Sequence, residues 1–393
     1  MRVEILCTGD EILTGKTINT NYSHMARRLG EAGLDVHWGT TVGDDRETLL
    51  AAFRQAGQRA DAVIVNGGLG PTVDDLSQEL AAEACGVELV LNEHWMARMT
   101  ESYARRGRAM PANNRKQAML PANAEFIDNP IGTACGFAVT IGRARFLFTP
   151  GVPREMRRML DEQVIPRLLK LGGITGVTRL KRFHSFGIGE SRADEMLAGI
   201  PGLAIDGDIK LGFQAHFPQL ETKLAIRGAD DADLERRLAP VEAEVRKRLG
   251  NFVVAEDDRT LEGVVLDALE TARKTLAIGE TATGGIVAAR VAPLPGAESV
   301  FKQGTIARHV SAEALRRESG ADIVLTVDAQ LDDEQGLVTI GIADGERTIH
   351  REARLVGNRD WVRTGACELG LDCLRRHLLG LPVDERIDFE RRA

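Results

Sequence analysis

Ala62-Val63-Ile64-Val65-Asn66-Gly67-Gly68-Leu69-Gly70-Pro71-Thr72-Val73-Asp74-Asp75 joins a β-branched apolar run to a loop of three glycines, a hydroxyl and two carboxylates. The apolar run predicts a buried strand. Glycines let the following backbone turn sharply and approach a ligand closely. A helix is expected from Asp75 to Cys85. A strand that delivers such a loop in front of a helix suits a phosphate group and a divalent cation.

The surroundings repeat this pattern. Val3–Cys7, Asp35–Val42, Ala62–Asn66 and Arg145–Thr149 are predicted strands, and Tyr22–Glu31, Arg46–Arg59 and Pro153–Leu169 predicted helices. Strands alternating with helices predict an α/β fold with a mainly parallel sheet covered on both faces. Ligands of such sheets sit beyond the carboxyl ends of the strands. Four loops gather polar residues there: Thr8 to Glu11, Val42 to Asp45, the glycine loop, and Asn129 to Ala134.

Asp10, Glu11, Asp44, Asp74 and Lys116 are therefore candidate catalytic residues, with Asp44, Asp74 and Asp75 as candidate metal ligands. Gly67, Gly68, Leu69, Gly70, Thr72, Asn129 and Thr133 are candidate phosphate or nucleotide contacts. Clustered carboxylates repel one another unless a cation or protons intervene. Hard oxygen donors beside phosphates favour Mg²⁺ or Mn²⁺ over zinc. Plainer readings stand beside these: Asp45 and Asp75 occupy helix-capping positions, and Lys116 is equally well placed as a solvated lysine.

The whole chain has 393 residues, 43% hydrophobic and 27% charged, with a formal charge of −8 and a pI near 5.6. That length predicts two or three domains. The acidic balance argues against direct nucleic-acid binding, which needs a basic face. Cys7, Cys85, Cys135, Cys367 and Cys373 are scattered and odd in number, so neither a disulfide framework nor a zinc site is expected. No signal segment or membrane span is apparent, and a cytoplasmic location is expected.

Gly172 to Gly176 reads as a linker, Thr178–Phe186 and Glu221–Arg227 as strands, and Ala232–Leu249 as a helix. Gly187 to Ser191 reads as a turn with Ser191 near a helix start. A second boundary is expected near Val254 to Asp258. Beyond it, Thr260–Ala272, a helix from Ile286, and Trp361–Leu379 frame strands at Thr275–Gly279, Ile323–Val327, Leu337–Ala343 and Thr348–Leu355. Asp384 to Ala393 is charged and expected to fray.

Gly9 to Leu13, Val42 to Asp44, Gly67 to Asp75, Asn113 to Ala118, Gly132 to Ala134, Pro150 to Met156 and Gly187 to Ser191 together resemble the CinA family, competence/damage-inducible protein A. The resemblance covers nearly the whole chain. It implies a three-layer, molybdopterin-binding-like first domain (1–172), a small α+β middle domain (177–252) and an α/β deamidase-like last domain (256–381). It further implies divalent-metal-dependent cleavage of ADP-ribose to AMP and ribose 5-phosphate, with Mg²⁺, Mn²⁺ or Co²⁺, and a homodimer. Molybdopterin binding or adenylylation, and a non-catalytic nucleotide-binding scaffold, remain as alternatives.

The last domain departs from the family pattern. Where the family carries Glu-Ser-Cys-Thr-Gly-Gly, with serine as the nucleophile of nicotinamide mononucleotide deamidation, this chain has Glu280-Thr281-Ala282-Thr283-Gly284-Gly285. The family's Tyr-Ser-Asn-Glu-Ala-Lys segment is also missing, no tyrosine follows Tyr103, and no lysine follows Lys302. A methyl beside the hydroxyl restricts its rotation, and a nucleophile without activating partners is a poor catalyst. Loss of deamidase activity at the Thr281 position is expected.

Overall fold

In the computed structural model, which describes residues 1–203 and 208–391, four strands of the first region run parallel. They are β1 (Val3–Thr8), β2 (Val36–Val42), β3 (Ala62–Asn66) and, further along, Ala144–Thr149. Between β3 and that last strand lie β4 (Leu89–Leu91), β5 (Met119–Pro121), β6 (Glu125–Ile127) and β7 (Gly136–Ile141), which makes Ala144–Thr149 β8. The main sheet has the order β2-β1-β3-β8-β7-β6, antiparallel only at β7 and β6, while β4 and β5 form a separate antiparallel ribbon.

Period-two alternation explains why this sheet is covered twice. Val3, Ile5, Ala62 and Ile64 face a core completed by Met25 and Leu29 of helix Thr20–Glu31 and by Met156, Met159 and Leu168. Leu6, Val63 and Val65 face the opposite core, with Phe53 of helix Arg46–Arg59 and with Phe137, Phe146 and Phe148. Phe53 meets Phe146 and Phe148 edge-on at 5.8 and 5.5 Å, an arrangement that aromatic quadrupoles favour.

Chain order puts β2 on one side of β1 and β3 on the other. The carboxyl ends of β1 and β3 therefore flank the point where the winding reverses, the usual place for a crevice. The predicted helices Arg46–Arg59 and Pro153–Leu169 form here, the latter as a continuous helical run from Pro153 to Leu171. Its middle, Leu160–Val164, widens into a π turn. Pro166, which lacks an N–H and crowds the preceding turn, gives the reason.

One expectation fails nearby. The helix after the glycine loop spans Ser77–Cys85, with Leu76 at its cap position and no side-chain cap. Asp75 does not cap it, because its carboxylate turns back to the N–H of Thr72 at 2.8 Å and to the Thr72 hydroxyl. Asp45 does cap helix Arg46–Arg59, accepting from Thr48 N at 2.8 Å.

The chain forms two compact units, one of residues 1–178 with 228–230 and the other of 179–227 with 231–393. In the second, β9 (Val177–Phe186), β10 (Ile209–His216), β11 (Gln219–Gly228) and β12 (Val253–Glu256) form a sheet in the order β10-β11-β9-β12. β12, which begins the stretch expected as a second boundary, is the edge strand of this sheet and pairs with β9. A second sheet has the order β14-β13-β15-β16-β17. Its strands are β13 (Leu276–Glu280), β14 (Phe301–Ile306), β15 (Ile323–Leu331), β16 (Gln335–Ala343) and β17 (Thr348–Val356). Helix Arg359–Leu378 is buried along most of its length. The middle segment also contains residues 204–207, which lie outside the described ones.

The charged C-terminal segment does not fray over residues 384–391, and Arg392 and Ala393 lie outside the described residues. Ile387 is buried, Glu390 bridges Leu355, and Asp388 accepts from Gly189 N at 2.8 Å and Arg192 at 2.6 Å. Asp388, not Ser191, therefore meets the start of helix Glu190–Leu197. A carboxylate at a helix N-terminus is stabilised by the unpaired backbone N–H groups there.

Within the first unit, Glu4 lies fully buried in the central strand, and its charge is met by Arg59 and by Thr40 Oγ1 at 2.6 Å. Removing one partner of such a pair leaves an uncompensated buried charge. Arg59→Met is expected to cost about 3 kcal/mol in urea denaturation. The double variant Glu4→Gln, Arg59→Met should recover part of that loss; a loss below ~0.5 kcal/mol in the single variant would contradict this account.

Candidate functional site

Beyond the carboxyl ends of β1, β2, β3 and β8, the loops enclose a cavity of about 480 Å³. Its walls come from Thr8, Gly9 and Glu11, from Asp44, from the glycine loop with Asp74 and Asp75, from Gln117, from Thr133 and Ala134, and from Pro150 to Val152 with Glu155. The glycine loop folds this way because its first turn is pinned. Asn66, buried at the end of β3, donates to Pro150 O at 2.7 Å and Thr149 Oγ1 at 3.2 Å, and accepts from Asn21 at 2.9 Å.

Gly67 (φ 114°) and Gly68 (φ 67°) lie in the region that L side chains rarely adopt. A Cβ on Gly67 would meet Thr8 Oγ1 at 2.5 Å, and one on Gly68 would strike Ser77 Oγ. Glycine is required here by both conformation and space. Ser77 ties the loop to its helix, donating through its hydroxyl to Gly67 O at 3.0 Å and through its amide to Gly68 O at 3.1 Å.

The predicted residues divide into groups. Glu11, Asp44, Asp74 and Asp75 line the cavity with Gly67, Gly68, Leu69, Gly70 and Thr133. Gly67 contributes shape but no donor, since its N–H is taken by Thr149 O at 3.0 Å. Among the described residues, no protein acceptor takes the N–H of Gly68, Leu69 or Gly70. Those three are the amides available to an anion.

Other predicted contacts are corrected. Thr72 is exposed, and its N–H and hydroxyl both go to Asp75. Asn129 is buried and does not line the cavity. Its amide donates to Ala134 O and Glu155 Oε2, each at 2.8 Å, and accepts from Ile131 and Gly132 N–H, so it builds the loop instead of contacting a ligand. Lys116 stands outside the cavity wall and donates to Thr72 O at 2.7 Å. Asp10 sits behind Asp44, and each residue's backbone N–H donates to the other's carboxylate at 3.2 Å.

Electrostatics set Asp44 and Asp74 apart. Burial pushes the Asp44 carboxyl above the usual aspartate range, and the charges of Asp10, Glu11 and Asp74 push the same way against the Asp10 N–H bond. Asp74 is held below that range by its closeness to the Thr72 hydroxyl, whose proton is directed at the adjoining Asp75, by its own backbone N–H and by the Lys116 charge. Among the described residues, no group of three His, Cys, Asp or Glu side chains converges to hold a metal unaided. Asp44, Asp74 and Asp75 are thus not a ready-made ligand set, since an Asp75 oxygen is already committed to Thr72.

Three polar side chains of the cavity were not among the sequence candidates. Thr8 is buried beneath Gly67 with its hydroxyl unpartnered. Gln117 faces the cavity and donates to Leu69 O at 3.4 Å. Glu155 belongs to a helix start that reads as structural from sequence, and it adds a fifth carboxylate to the wall. Position at the end of the central strand was a signal for Thr8; nothing local marked Glu155.

In the second unit, the Thr281 hydroxyl donates to Asp328 at 2.8 Å and accepts from Ala329 N at 3.1 Å. Glu280 is buried and accepts from the N–H groups of Gly285, Val287 and Ala288 at 3.1, 3.1 and 2.9 Å. The loop that carries Thr281 is held by Glu280 and by β15, while the buried Thr283 hydroxyl has no partner among the described residues. Among the described residues, no helix is long and apolar enough to cross a membrane.

Family models match three successive regions: "Probable molybdopterin binding domain" at residues 4–170, "Damage-inducible protein CinA KH domain" at 180–255 and "CinA C-terminal domain" at 258–318. A CinA-like protein of Shewanella woodyi is 38% identical over 98% of this chain and 97% of its own. That alignment runs to 418 positions against a chain of 393, so the relative carries segments absent here. A Shewanella oneidensis protein named nicotinamide-nucleotide amidohydrolase PncC is 34% identical over 98% of this chain and 97% of its own. Among solved structures, the protein CinA of Thermoplasma acidophilum is 35% identical over 42% of this chain and 97% of its own, with a TM-score of 0.39. With a mixed α/β architecture and near-complete coverage by such relatives, the chain belongs to the CinA family.

Proposed function

We propose that the cavity of the first unit hydrolyses the diphosphate of ADP-ribose, or of a related nucleoside diphosphate, to AMP and ribose 5-phosphate with the help of a divalent cation. One observation carries this reading. Glu11, Asp44, Asp74, Asp75 and Glu155 line the same cavity as the unpaired amides of Gly68 to Gly70, and among the described residues no Lys, Arg or His lines it. Like charges about 4 Å apart repel by roughly 4 kcal/mol at an effective dielectric of 20. A diphosphate drawn to the amides is therefore excluded by the carboxylates unless positive charge accompanies it.

The donor set fits a hard cation. Mg²⁺ commonly takes one or two carboxylates and completes its shell with substrate phosphates and water. Asp44 and Asp74 would hold it, and when bound it would supply charge neutralisation for the diphosphate. The amides of Gly68, Leu69 and Gly70 orient the phosphate oxygens and stabilise charge developing on them. Glu11 and Glu155 stand on the cavity wall as acceptors able to orient a water for in-line attack on phosphorus. Thr8 offers a hydroxyl with no other partner. The proposal includes a cytoplasmic homodimer without nucleic-acid or membrane partners.

We further infer that the second unit lacks the activity named for the Shewanella oneidensis relative. The Thr281 hydroxyl is engaged on both sides by β15, and the methyl hinders its reorientation. Molybdopterin chemistry is a second reading, favoured by the family model over residues 4–170.

Purified protein with ADP-ribose and Mg²⁺, Mn²⁺ or Co²⁺ is expected to release AMP, and Asp74→Asn to lower turnover at least tenfold while remaining folded. Absence of AMP with all three metals, or ATP-dependent adenylylation of molybdopterin without ADP-ribose turnover, would replace this reading.

The Asp44 shift gives a stability test. Its folded-state pKa is raised, so the native state holds the extra proton, and stability falls as pH rises from the ordinary aspartate value through the raised one. Asp44→Asn should therefore melt above wild type at neutral pH and lose that advantage in acid. Mg²⁺ should raise the wild-type melting temperature more than the variant's; equal responses would remove Asp44 from the cation site.

Nicotinamide mononucleotide is expected to yield no ammonia with the wild-type protein. Release that is abolished by Thr281→Val would show a working deamidase.

A further inference from the structure

A second cavity, of about 360 Å³, opens beside the turn Ala112–Ala118, whose Gln117 lines the first cavity. Gln78, Leu89, Ala112, Asn113, Arg115, Lys116 and Met119 line it together with Glu79, whose carboxylate is paired with Arg46. Gln78 is the second residue of helix Ser77–Cys85 and immediately follows Ser77, which anchors the glycine loop. Its side chain is 2% exposed, yet Oε1 has no hydrogen-bond partner. An unmet buried carbonyl is costly, so this amide calls for a partner that the described residues do not supply.

The walls specify the partner's chemistry. Leu89 and Met119, from the β4–β5 ribbon, give apolar faces for a flat ring. The Arg115 guanidinium can stack on such a ring, and a side-chain amide offers a donor and an acceptor side by side. That pair matches the N6 and N7 edge of adenine. The cavity is also tied to the diphosphate site: Lys116, on its wall, donates to Thr72 O at 2.7 Å, and Asn113, beside it, to Pro71 O at 3.4 Å.

We propose that this cavity binds the purine base of the nucleotide whose phosphates enter the neighbouring cavity, with Gln78 reading the base edge. The proposal rests on the nucleotide reading of the first cavity, but binding and turnover test the two separately. AMP and ribose 5-phosphate, titrated calorimetrically into the full chain with Mg²⁺ present, are expected to differ at least tenfold in Kd in favour of AMP. Gln78→Leu, which keeps volume and helix propensity and removes only the amide, should abolish that preference and leave ribose 5-phosphate unchanged. The surface variant Arg115→Ala should weaken AMP alone, and it does so without touching the core.

Equal binding of AMP by wild type and Gln78→Leu would overturn the base site and assign the amide to an interior water, whatever the outcome for ADP-ribose hydrolysis. AMP binding that depends on Gln78, in a protein with no hydrolase activity, would uphold the base site and remove the hydrolase reading alone.

Discussion

The turn at Asn66 and Gly67 is the constraint on which the site depends. Asn66 spends its buried amide on Thr149, Pro150 and Asn21, so the ends of β3 and β8 and the helix that follows β1 meet at one side chain. Gly67 then passes so close to Thr8 that no Cβ fits. After that turn the next three residues line the crevice with N–H groups that no acceptor among the described residues takes. The carboxylates follow from that placement, since Asp74 and Asp75 return along the far side of the same loop.

The resulting cavity is electrostatically incomplete. Backbone amides attract an anion, and five carboxylates repel it. The Asp44 carboxyl registers this conflict directly, pushed up by burial and by its charged neighbours. Asp74 escapes it through the nearby Thr72 hydroxyl, its own N–H and the Lys116 charge. Two carboxylates of equal intrinsic acidity are thus driven apart by surroundings alone. That imbalance accounts for both the cation in the proposed reaction and the restriction of its ligands to oxygen.

The second unit follows a different logic. Its polar groups are largely satisfied within the chain. Asp372 is fully buried between Arg375 and Arg376, Arg290 joins Glu262 to Glu368, and Thr281 is held by Asp328 and Ala329. The C-terminal segment closes over it through Ile387 and Asp388. The loop that carries Thr281 is not fully satisfied, however: the buried Thr283 hydroxyl has no partner among the described residues.

The sequence by itself determined the alternation of elements, the parallel sheet and the identity of the glycine loop. Periodicity, β-branching and glycine conformation act over a few neighbouring residues and are legible locally. Helix Arg46–Arg59 and strand β3 were readable to the residue for that reason. Which polar groups face the cavity was decided only by tertiary structure. Asn129, Thr72 and Lys116 turned their hydrogen bonds inward to the loops, while Glu155, Gln117 and Thr8 were brought to the cavity from distant segments. A donor's availability depends on whether some remote acceptor has already claimed it, and spacing along the chain carries no record of that.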